Sequence, residues 1–375
     1  MFRIGYYSDA KVYGGAEKYL EMLAIGMASK GHDCFFMVNE ENVVMLQNLE
    51  ELGLRYFARK MGERYYDVHY HWPLFKFFRG LDIDLLHINM PGPYNCCLVP
   101  ITARLSGIKH VITTEHLPMN RRWPKPGFLK DISNPWLDCS ITVSYGNLEY
   151  MSTLHRIPKE IVEVIQNGID VDHFSPDFRG HLRWPMRKRY GFSETNIVFG
   201  VVGRLTAQKG HAYAVEAFAR IHEKFPDLRM IFVGEGELAD EYKHLVSKAG
   251  LDSKVVFAGF HTDMKPIYAC IDVLLMPSLF EGLPLVLLEA MAMKIPAIAT
   301  RINGIPEVVN DHHNGILIDP KDPEAIIQAI IEFAQGGKIE TYGENAYNTI
   351  RERFSLNKMV NRTEDTYRRC INSTA

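Results

Sequence analysis

Two glutamates, Glu281 and Glu289, stand on either side of Gly-Leu-Pro-Leu-Val-Leu-Leu. An apolar strand, Ile271–Met276, leads through a Pro-Ser turn to Glu281-Gly282, and a helix is expected to open at Pro284. Proline suits the first helical turn, since its missing N–H is one of the donors left unpaired there anyway. The N–H groups that remain, from Leu283 and Leu285 onward, point out of the helix start and favour an anion. Glu281 precedes the helix and Glu289 lies about one and a half turns inside it, so the two carboxylates point different ways. A helix start fed by a buried strand, with two acids nearby, suits a phosphorylated, sugar-like ligand. A core helix with two surface glutamates accounts for these residues equally well.

Other residues extend the same chemistry. The strand Ile197–Val202 ends at Gly203-Arg-Leu-Thr-Ala-Gln-Lys-Gly210, which puts Arg204 and Lys209 on a loop at a strand's carboxyl end. Arginine offers a fork of donors and lysine a movable point charge, a pair able to hold a diphosphate. Near the beginning, the strand Phe2–Tyr7 passes through a loop containing Gly14-Gly15 into a helix from about Ala16 to Lys30. Such a unit is the usual opening of a phosphate-binding fold, and glycine lets backbone approach a ligand with no Cβ between. His116 lies two residues beyond the strand Val111–Thr114, at the end of a parallel sheet where ligands bind. Asp82-Ile-Asp84 imitates a metal-binding Asp-x-Asp but enters a strand at its amino end, and Asp170-Val-Asp172 reads as linker. No metal is expected. Gly234-Glu-Gly-Glu-Leu-Ala239 satisfies the dinucleotide pattern G-x-G-x-x-A, so an NAD-dependent oxidoreductase is an alternative. Against it, Glu235 and Glu237 would sit where a pyrophosphate needs positive potential. The next strand, Lys254–Phe257, also ends in Ala-Gly rather than in an acid for the ribose. Gly234 and Gly236 fit better as a loop that admits a nucleotide base.

Elements must carry these residues. At 375 residues the chain exceeds one typical core, so two domains are expected. A hydrophobic content of 47% with 23% charged residues is ordinary for a globular chain. The net charge of -3 gives no reason to expect nucleic acid as a partner. Cys34, Cys96, Cys97, Cys139, Cys270 and Cys370 make no zinc spacing and lie mostly in apolar contexts, as reduced thiols of a cytosolic protein would. The first residues read as a strand, too short for a signal sequence, and no run of about 18 apolar residues occurs.

Strands at Cys34–Val38, Asp84–Asn89, His110–Thr114, Ser140–Val143 and Glu163–Gln166, with helices between most of them, argue a parallel α/β sheet. From about 170 to 194 the chain is polar and basic without clear period, and reads as a linker plus an arm. A second series follows with strands at Ile197–Val202, Arg229–Val233, Lys254–Phe257, Ile271–Met276, Ile295–Ala299 and Gly315–Asp319. Helices at Pro323–Gln335, Ile339–Phe354 and Ser355–Cys370 close the chain. The domains are therefore placed at 1–172 and 173–354, with 355–375 apart. Two segments, Arg64–Arg79 and Arg121–Lys130, mix basic and aromatic residues. They suit contact with an anionic membrane surface, or a half-buried helix and a solvated loop.

Glu281 and Glu289, with seven residues between them, resemble the E-x7-E motif of the large retaining glycosyltransferase family 4. Gly14-Gly-Ala-Glu17 resembles that family's first loop, which lies against the donor diphosphate. Gly203-Arg-Leu-x-x-x-Lys-Gly210 matches its phosphate-binding loop at the charged positions. Thr114-Glu-His116 looks like the place where the family has a histidine beside the donor sugar, and Phe260 falls at its base-contact position. Asn303-Gly-Ile-Pro-Glu-Val-Val309 is close to Gly-Gly-x-x-Glu-Val-Val, with Asn303 in place of the first glycine. Gln166–Pro176 resembles the family's Asn-Gly-Val-Asp…Phe-x-Pro junction.

The resemblance implies a GT-B architecture: two Rossmann-like domains facing across a cleft, the terminal helix crossing back to the first. It implies a retaining, metal-independent hexosyltransferase without cofactor, moving a sugar from a nucleoside diphosphate sugar to a hydroxyl acceptor. Arg204, Lys209 and the helix start at Gly282, Leu283 and Leu285 would face the leaving diphosphate. Glu289 would hold the ribose, while Glu281 and His116 would grip the sugar from opposite domains. In the family the leaving phosphate is thought to take the acceptor proton itself. Acceptors would be glycans, lipid-linked intermediates or small molecules of cell-envelope synthesis, handled in the cytoplasm or at the inner face of the membrane. A sugar-nucleotide 2-epimerase of the same architecture and a non-catalytic sugar-nucleotide binder stand as alternatives.

Overall fold

The computed structural model describes residues 1–61, 68–117 and 124–372. Its contacts divide into one unit of residues 1–168 with 356–375 and a second of residues 169–355. The division falls at Gly168, a few residues before the boundary read from the junction.

The first unit runs β1 (Arg3–Ser8), α1 (Gly15–Ser29), β2 (Asp33–Asn39), α2 (Val43–Glu51), β3 (Arg55–Arg59), α3 (Val68–Arg79) and β4 (Leu85–Met90). It continues with α4 (Val99–Leu105), β5 (Val111–Glu115), α5 (Pro124–Ser133), β6 (Cys139–Thr142), α6 (Leu148–Thr153) and β7 (Val162–Val164). The strands form one parallel sheet in the order β3-β2-β1-β4-β5-β6-β7. Central β4 and β5 are buried along their whole length, as strands covered by helices on both faces must be. β3 is absent from the sequence reading. It is the edge strand, Arg-Tyr-Phe-Ala-Arg, only half-buried, and its two arginines mask the alternation.

The second unit opens with α7 (Asp177–Arg189), β8 (Ile197–Val202), α8 (His211–Ile221), β9 (Leu228–Val233), α9 (Ala239–Lys248), β10 (Val255–Gly259) and α10 (Lys265–Cys270). Then come β11 (Val273–Met276), α11 (Leu285–Ala292), β12 (Ala297–Thr300), α12 (Ile305–Val308), β13 (Gly315–Ile318), α13 (Pro323–Gln335) and α14 (Ile339–Arg353). Its parallel sheet has the order β10-β9-β8-β11-β12-β13. α7 corrects the sequence reading of an arm. Its packed face is arginine rather than apolar: Arg179, Arg183 and Arg187, four apart, converge on Asp272, so no hydrophobic period marks it.

The last helix, α15 (Leu356–Asn372), belongs to the first unit. It crosses α1 so closely that a Cβ on Gly26 would lie 2.4 Å from Val360 Cγ2. Glu364 meets Lys30 at 2.7 Å and His32 at 3.2 Å, and the Tyr367 hydroxyl reaches His87. All six cysteines are buried, and none forms a disulfide. Among the described residues no helix is long and apolar enough to cross a membrane.

In each sheet the strand order reverses once, between β1 and β4 and between β8 and β11. Open α/β sheets bind ligands beyond the carboxyl ends of the strands at such a switch point. The loops after β1, β4, β8 and β11 are therefore the places to look for chemistry.

Candidate active site

In the second unit, glycines decide how the loops after β8, β9 and β11 meet. Gly203 has φ +148° and Gly234 φ +133°, and a Cβ on Gly234 would fall 2.2 Å from the Gly203 carbonyl oxygen. A Cβ on Gly236 would fall 2.5 Å from that of Leu205. The N–H groups of Gly203 and Leu205 donate to Val233 and Glu235, each at 2.9 Å, which zips the two loops together. Gly234 and Gly236 were read as admitting a nucleotide base. The fold itself also requires them bare, because a Cβ on either would meet the loop that carries Arg204.

On the other side, Gly210 sits at φ +68°, and a Cβ there would fall 2.0 Å from the Pro277 carbonyl oxygen. The Leu279 N–H donates to Gln208 O at 2.8 Å, and Gln208 Nε2 to Phe280 O at 2.9 Å. This clasp brings Lys209 Nζ to 2.6 Å from Glu281 Oε1. Glu281 is buried and Lys209 half-buried, so the attraction is only weakly screened by water. Arg204, at the carboxyl end of β8, is exposed and makes no ion pair among the described residues.

α11 starts one residue later than read. Pro284 is the N-cap, at φ -71° and ψ 125°, and Leu285 is the first helical residue. Its N–H has no carbonyl one turn back and faces out of the helix start. The side chains of Leu283 and Leu285 are buried, as is Gly282, whose carbonyl accepts from Gly304 N–H at 3.1 Å. Asn303 sits at φ +44°, a left-handed conformation that asparagine tolerates better than most residues. This explains why a glycine fits the same position. Its Oδ1 accepts from the Glu281 N–H at 3.4 Å. Glu289, one face round the helix, is buried and accepts from the Tyr268 hydroxyl at 2.8 Å. The two glutamates thus have different partners. Phe260, just past β10, is 49% exposed and its ring is open to a ligand.

In the first unit, Gly14 caps α1 in extended backbone, and Gly15 is its first residue. A Cβ on Gly15 would meet nothing within 4 Å, and one on Gly14 only Glu17 Oε2 at 3.5 Å. The chain's own packing does not demand either glycine. Glu17 is buried behind them; burial pushes its carboxyl up to about 7, although N–H groups of the helix start favour the charged form. Glu21 is likewise pushed up to about 7 by burial, and it accepts from Tyr13 Oη at 2.6 Å.

His116 follows β5 directly. Its Nε2 lies 2.7 Å from Asn89 Oδ1 at the end of β4, and Tyr19 packs edge-on at 4.7 Å. Burial holds the ring down at about 3, against the raising effect of Glu115. The imidazole is therefore neutral at physiological pH, and Nε2 is the nitrogen that meets Asn89. Beside it lies a buried triad missed from the sequence: Glu115 takes Lys130 Nζ on one oxygen and His155 Nδ1, at 2.9 Å, on the other. Lys130 was counted with the membrane-facing segment, yet it is buried. Arg121, Arg122 and Trp123 of that segment lie outside the described residues, as do residues 64–67 of the other. Asp82 and Asp84 both pair with Arg3 at the amino end of the sheet, away from the ligand edge. Of the unpredicted residues, only Asn303 left a signal in the sequence, as a departure from a motif.

Comparison with known proteins accounts for both units. The model of glycosyl transferases group 1 matches residues 183–349, and that of Glycosyltransferase Family 4 matches residues 13–173. The chain is 29% identical over 317 residues to the UDP-Gal:alpha-D-GlcNAc-diphosphoundecaprenol alpha-1,3-galactosyltransferase of Escherichia coli, covering 78% of this chain and 77% of that one. It is 32% identical over 266 residues to the GDP-mannose-dependent alpha-(1-6)-phosphatidylinositol monomannoside mannosyltransferase of Mycolicibacterium smegmatis, covering 66% of each. In fold it is similar to Anabaena HepE in complex with UDP and glucose, with a TM-score of 0.84 at 19% identity over 98% of this chain and 99% of the other. A glycosyltransferase from Rickettsia africae gives 0.83 at 20% identity over 99% and 98%. Nothing in these likenesses supports an oxidoreductase. With two parallel sheets of GT-B type and family matches running through most of both units, the chain belongs to glycosyltransferase family 4.

Proposed function

We propose that the protein moves a sugar from a nucleoside diphosphate sugar to a hydroxyl acceptor, with retention at the anomeric carbon and without a metal ion. The observation that carries this reading is the Lys209–Glu281 pair at 2.6 Å, clasped beyond β8 and β11 next to the start of α11. The reaction must stabilise a departing diphosphate beside an oxocarbenium-like sugar. Lys209, Arg204 and the first N–H groups of α11 supply fixed positive potential for the first. Glu281, a carboxylate touching the same lysine, supplies negative potential for the second. Phe260 is assigned to the base and Glu289 to the ribose. The neutral His116 is assigned to a sugar hydroxyl, to which it offers a hydrogen bond rather than charge. The leaving phosphate takes the acceptor proton.

The Escherichia coli relative is named for a diphosphoundecaprenol acceptor and the mycolicibacterial one for a phosphatidylinositol mannoside. A lipid-linked acceptor at the cytoplasmic face of a membrane is the corresponding proposal here. It is supported by exposed aromatic and basic side chains of the first unit. On α3, Trp72 is 57% exposed with Lys76 over its ring; on α5, Phe128 is 62% exposed, beside exposed Ile132.

A thermal-shift screen with UDP, GDP, ADP and their sugars tests the donor class, because ligand binding raises stability by mass action. One base should stand out, and its sugar should release nucleoside diphosphate in chelator when an acceptor is added. Release that requires magnesium or manganese would overturn metal independence. Release without any acceptor, with inversion at C2 of the sugar, would favour the epimerase.

A further inference from the structure

Glu289 is assigned above to the ribose, but a carboxylate on a helix has several rotamers, and only one serves a pair of hydroxyls. What fixes it is visible on the next helix. Tyr268, on α10, has no exposed surface, and its Oη donates to Glu289 Oε2 at 2.8 Å. Burial, and then the neighbouring carboxylate, raises the phenol well above its ordinary range, so the hydroxyl stays a donor. The phenol ring is itself held. Phe174, buried in the junction sequence, packs edge-on against it at 6.1 Å, and the Tyr268 N–H donates to Met264 O at 2.9 Å. A buried carboxylate held on one oxygen by a rigid donor has the plane of the whole group set by that bond.

We propose that Tyr268 is a positioning residue for nucleotide recognition: its hydroxyl holds Glu289 in the orientation that accepts the ribose hydroxyls. The proposal rests on the assignment of Glu289 to the ribose. It goes beyond that assignment by explaining how one side chain of a fully buried tyrosine affects affinity without touching the ligand. A buried polar pair that merely joins α10 to α11 is the competing account, and it makes a different forecast for ligands with and without ribose hydroxyls.

The test uses the full chain and calorimetry with whichever of UDP, GDP or ADP binds, beside its 2′,3′-dideoxy form. Glu289→Gln reports on the assignment itself and should weaken the ribonucleotide while leaving the dideoxy form nearly unchanged. Tyr268→Phe keeps the ring and removes only the donor. It should weaken the ribonucleotide on the order of 10-fold, the size of one charge-assisted hydrogen bond, and should leave dideoxy binding unchanged. The double variant, in which no carboxylate is left without its donor, should bind like Glu289→Gln alone; it also serves if Tyr268→Phe does not fold. Equal weakening of both nucleotides by Tyr268→Phe, or a further loss in the double variant, would overturn the positioning role while leaving the ribose assignment standing. If Glu289→Gln spares the ribonucleotide, the ribose assignment fails, and the positioning role fails with it.

Discussion

Glycines in the βα loops of the two units look alike in sequence, yet the structure gives them opposite reasons. Gly236 is required by the fold, since a Cβ there would fall 2.5 Å from a backbone oxygen of the Arg204 loop. Gly15 is not, because a Cβ there would meet nothing within 4 Å. Gly236→Ala should therefore destabilise the second unit by about 1–3 kcal/mol as the two loops are forced apart. Gly15→Ala should leave stability unchanged or raise it by up to about 1 kcal/mol, since alanine suits a helix better. If the bare face of Gly15 is there for a phosphate, the same change should weaken donor binding. Urea unfolding and donor titration of both variants check the contrast, and a Gly15→Ala protein that binds donor normally would leave that glycine as a turn only. The charged positions Arg204, Lys209, Glu281 and Glu289 could be singled out because each lies just beyond a strand or in the helix that follows it. Tyr268 and the Glu115–Lys130–His155 triad could not, and Asn303 showed only as a departure from a motif. Their partners are 15 to 40 positions away, and no local spacing announces such a pairing.

Among elements, most strands and helices follow from apolar period alone; α5 falls where a solvated loop was one reading, and arginine hides two elements more. β3 and α7 are the two whose arginines break the pattern. In α7 those arginines are the packing face. Arg187 is buried, Arg183 and Arg187 both reach Asp272, and the guanidinium of Arg179 is tied to the carbonyls of Ile271 at 2.8 Å and Lys294 at 3.2 Å. Asp272 is the one carboxylate these cations share, and its other partner is the N–H of Val198 at 2.8 Å on β8. Asp272→Asn should cost about 3–5 kcal/mol, because breaking a buried pair leaves uncompensated charge behind. Equilibrium unfolding measures it, and a loss under about 1 kcal/mol would mean the carbonyls alone satisfy the arginines. The exposed face of α3 makes the complementary forecast. Sedimentation with anionic vesicles should weaken in Lys76→Glu and in high salt, as the Debye length falls from about 10 Å at 0.1 M to about 3 Å at 1 M. Equal sedimentation with neutral and anionic vesicles would leave α3 as a half-buried helix and nothing more.

At the scale of the whole molecule, the first unit carries opposed titrations. Glu17 and Glu21, raised to about 7 by burial, give stability that is fully present below their ordinary value near 4.5 and is lost as pH rises through about 7. His87 and His116, lowered to about 3 by burial, give stability that is lost as pH falls from about 6.5 toward 3. Between about pH 6.5 and 4.5 the two trends oppose each other. Below that, Glu364, held at about 2 by the hydrogen bond from Lys30, loses its contribution as it protonates. So does Glu115, held at about 2 by Lys130 and His155 against its burial. Hydrogen exchange in α1 and α15 should therefore be nearly level from about pH 6.5 to 4.5 once corrected for intrinsic rates, and protection should collapse below; a steady loss starting at pH 7 would contradict the opposition. The central claim is the division of labour between the two glutamates of one helix start, and it is tested by calorimetry of free nucleoside diphosphate beside steady-state kinetics of Glu281→Gln and Glu289→Gln. Glu289→Gln should weaken the diphosphate and raise donor KM with kcat spared, as loss of a contact made equally before and during reaction does. Glu281→Gln removes the partner of Lys209 but not the cation, so diphosphate binding should persist while kcat falls on the order of 100-fold. A reversed pattern, or two harmless substitutions, would contradict the account and leave α11 as a packing helix.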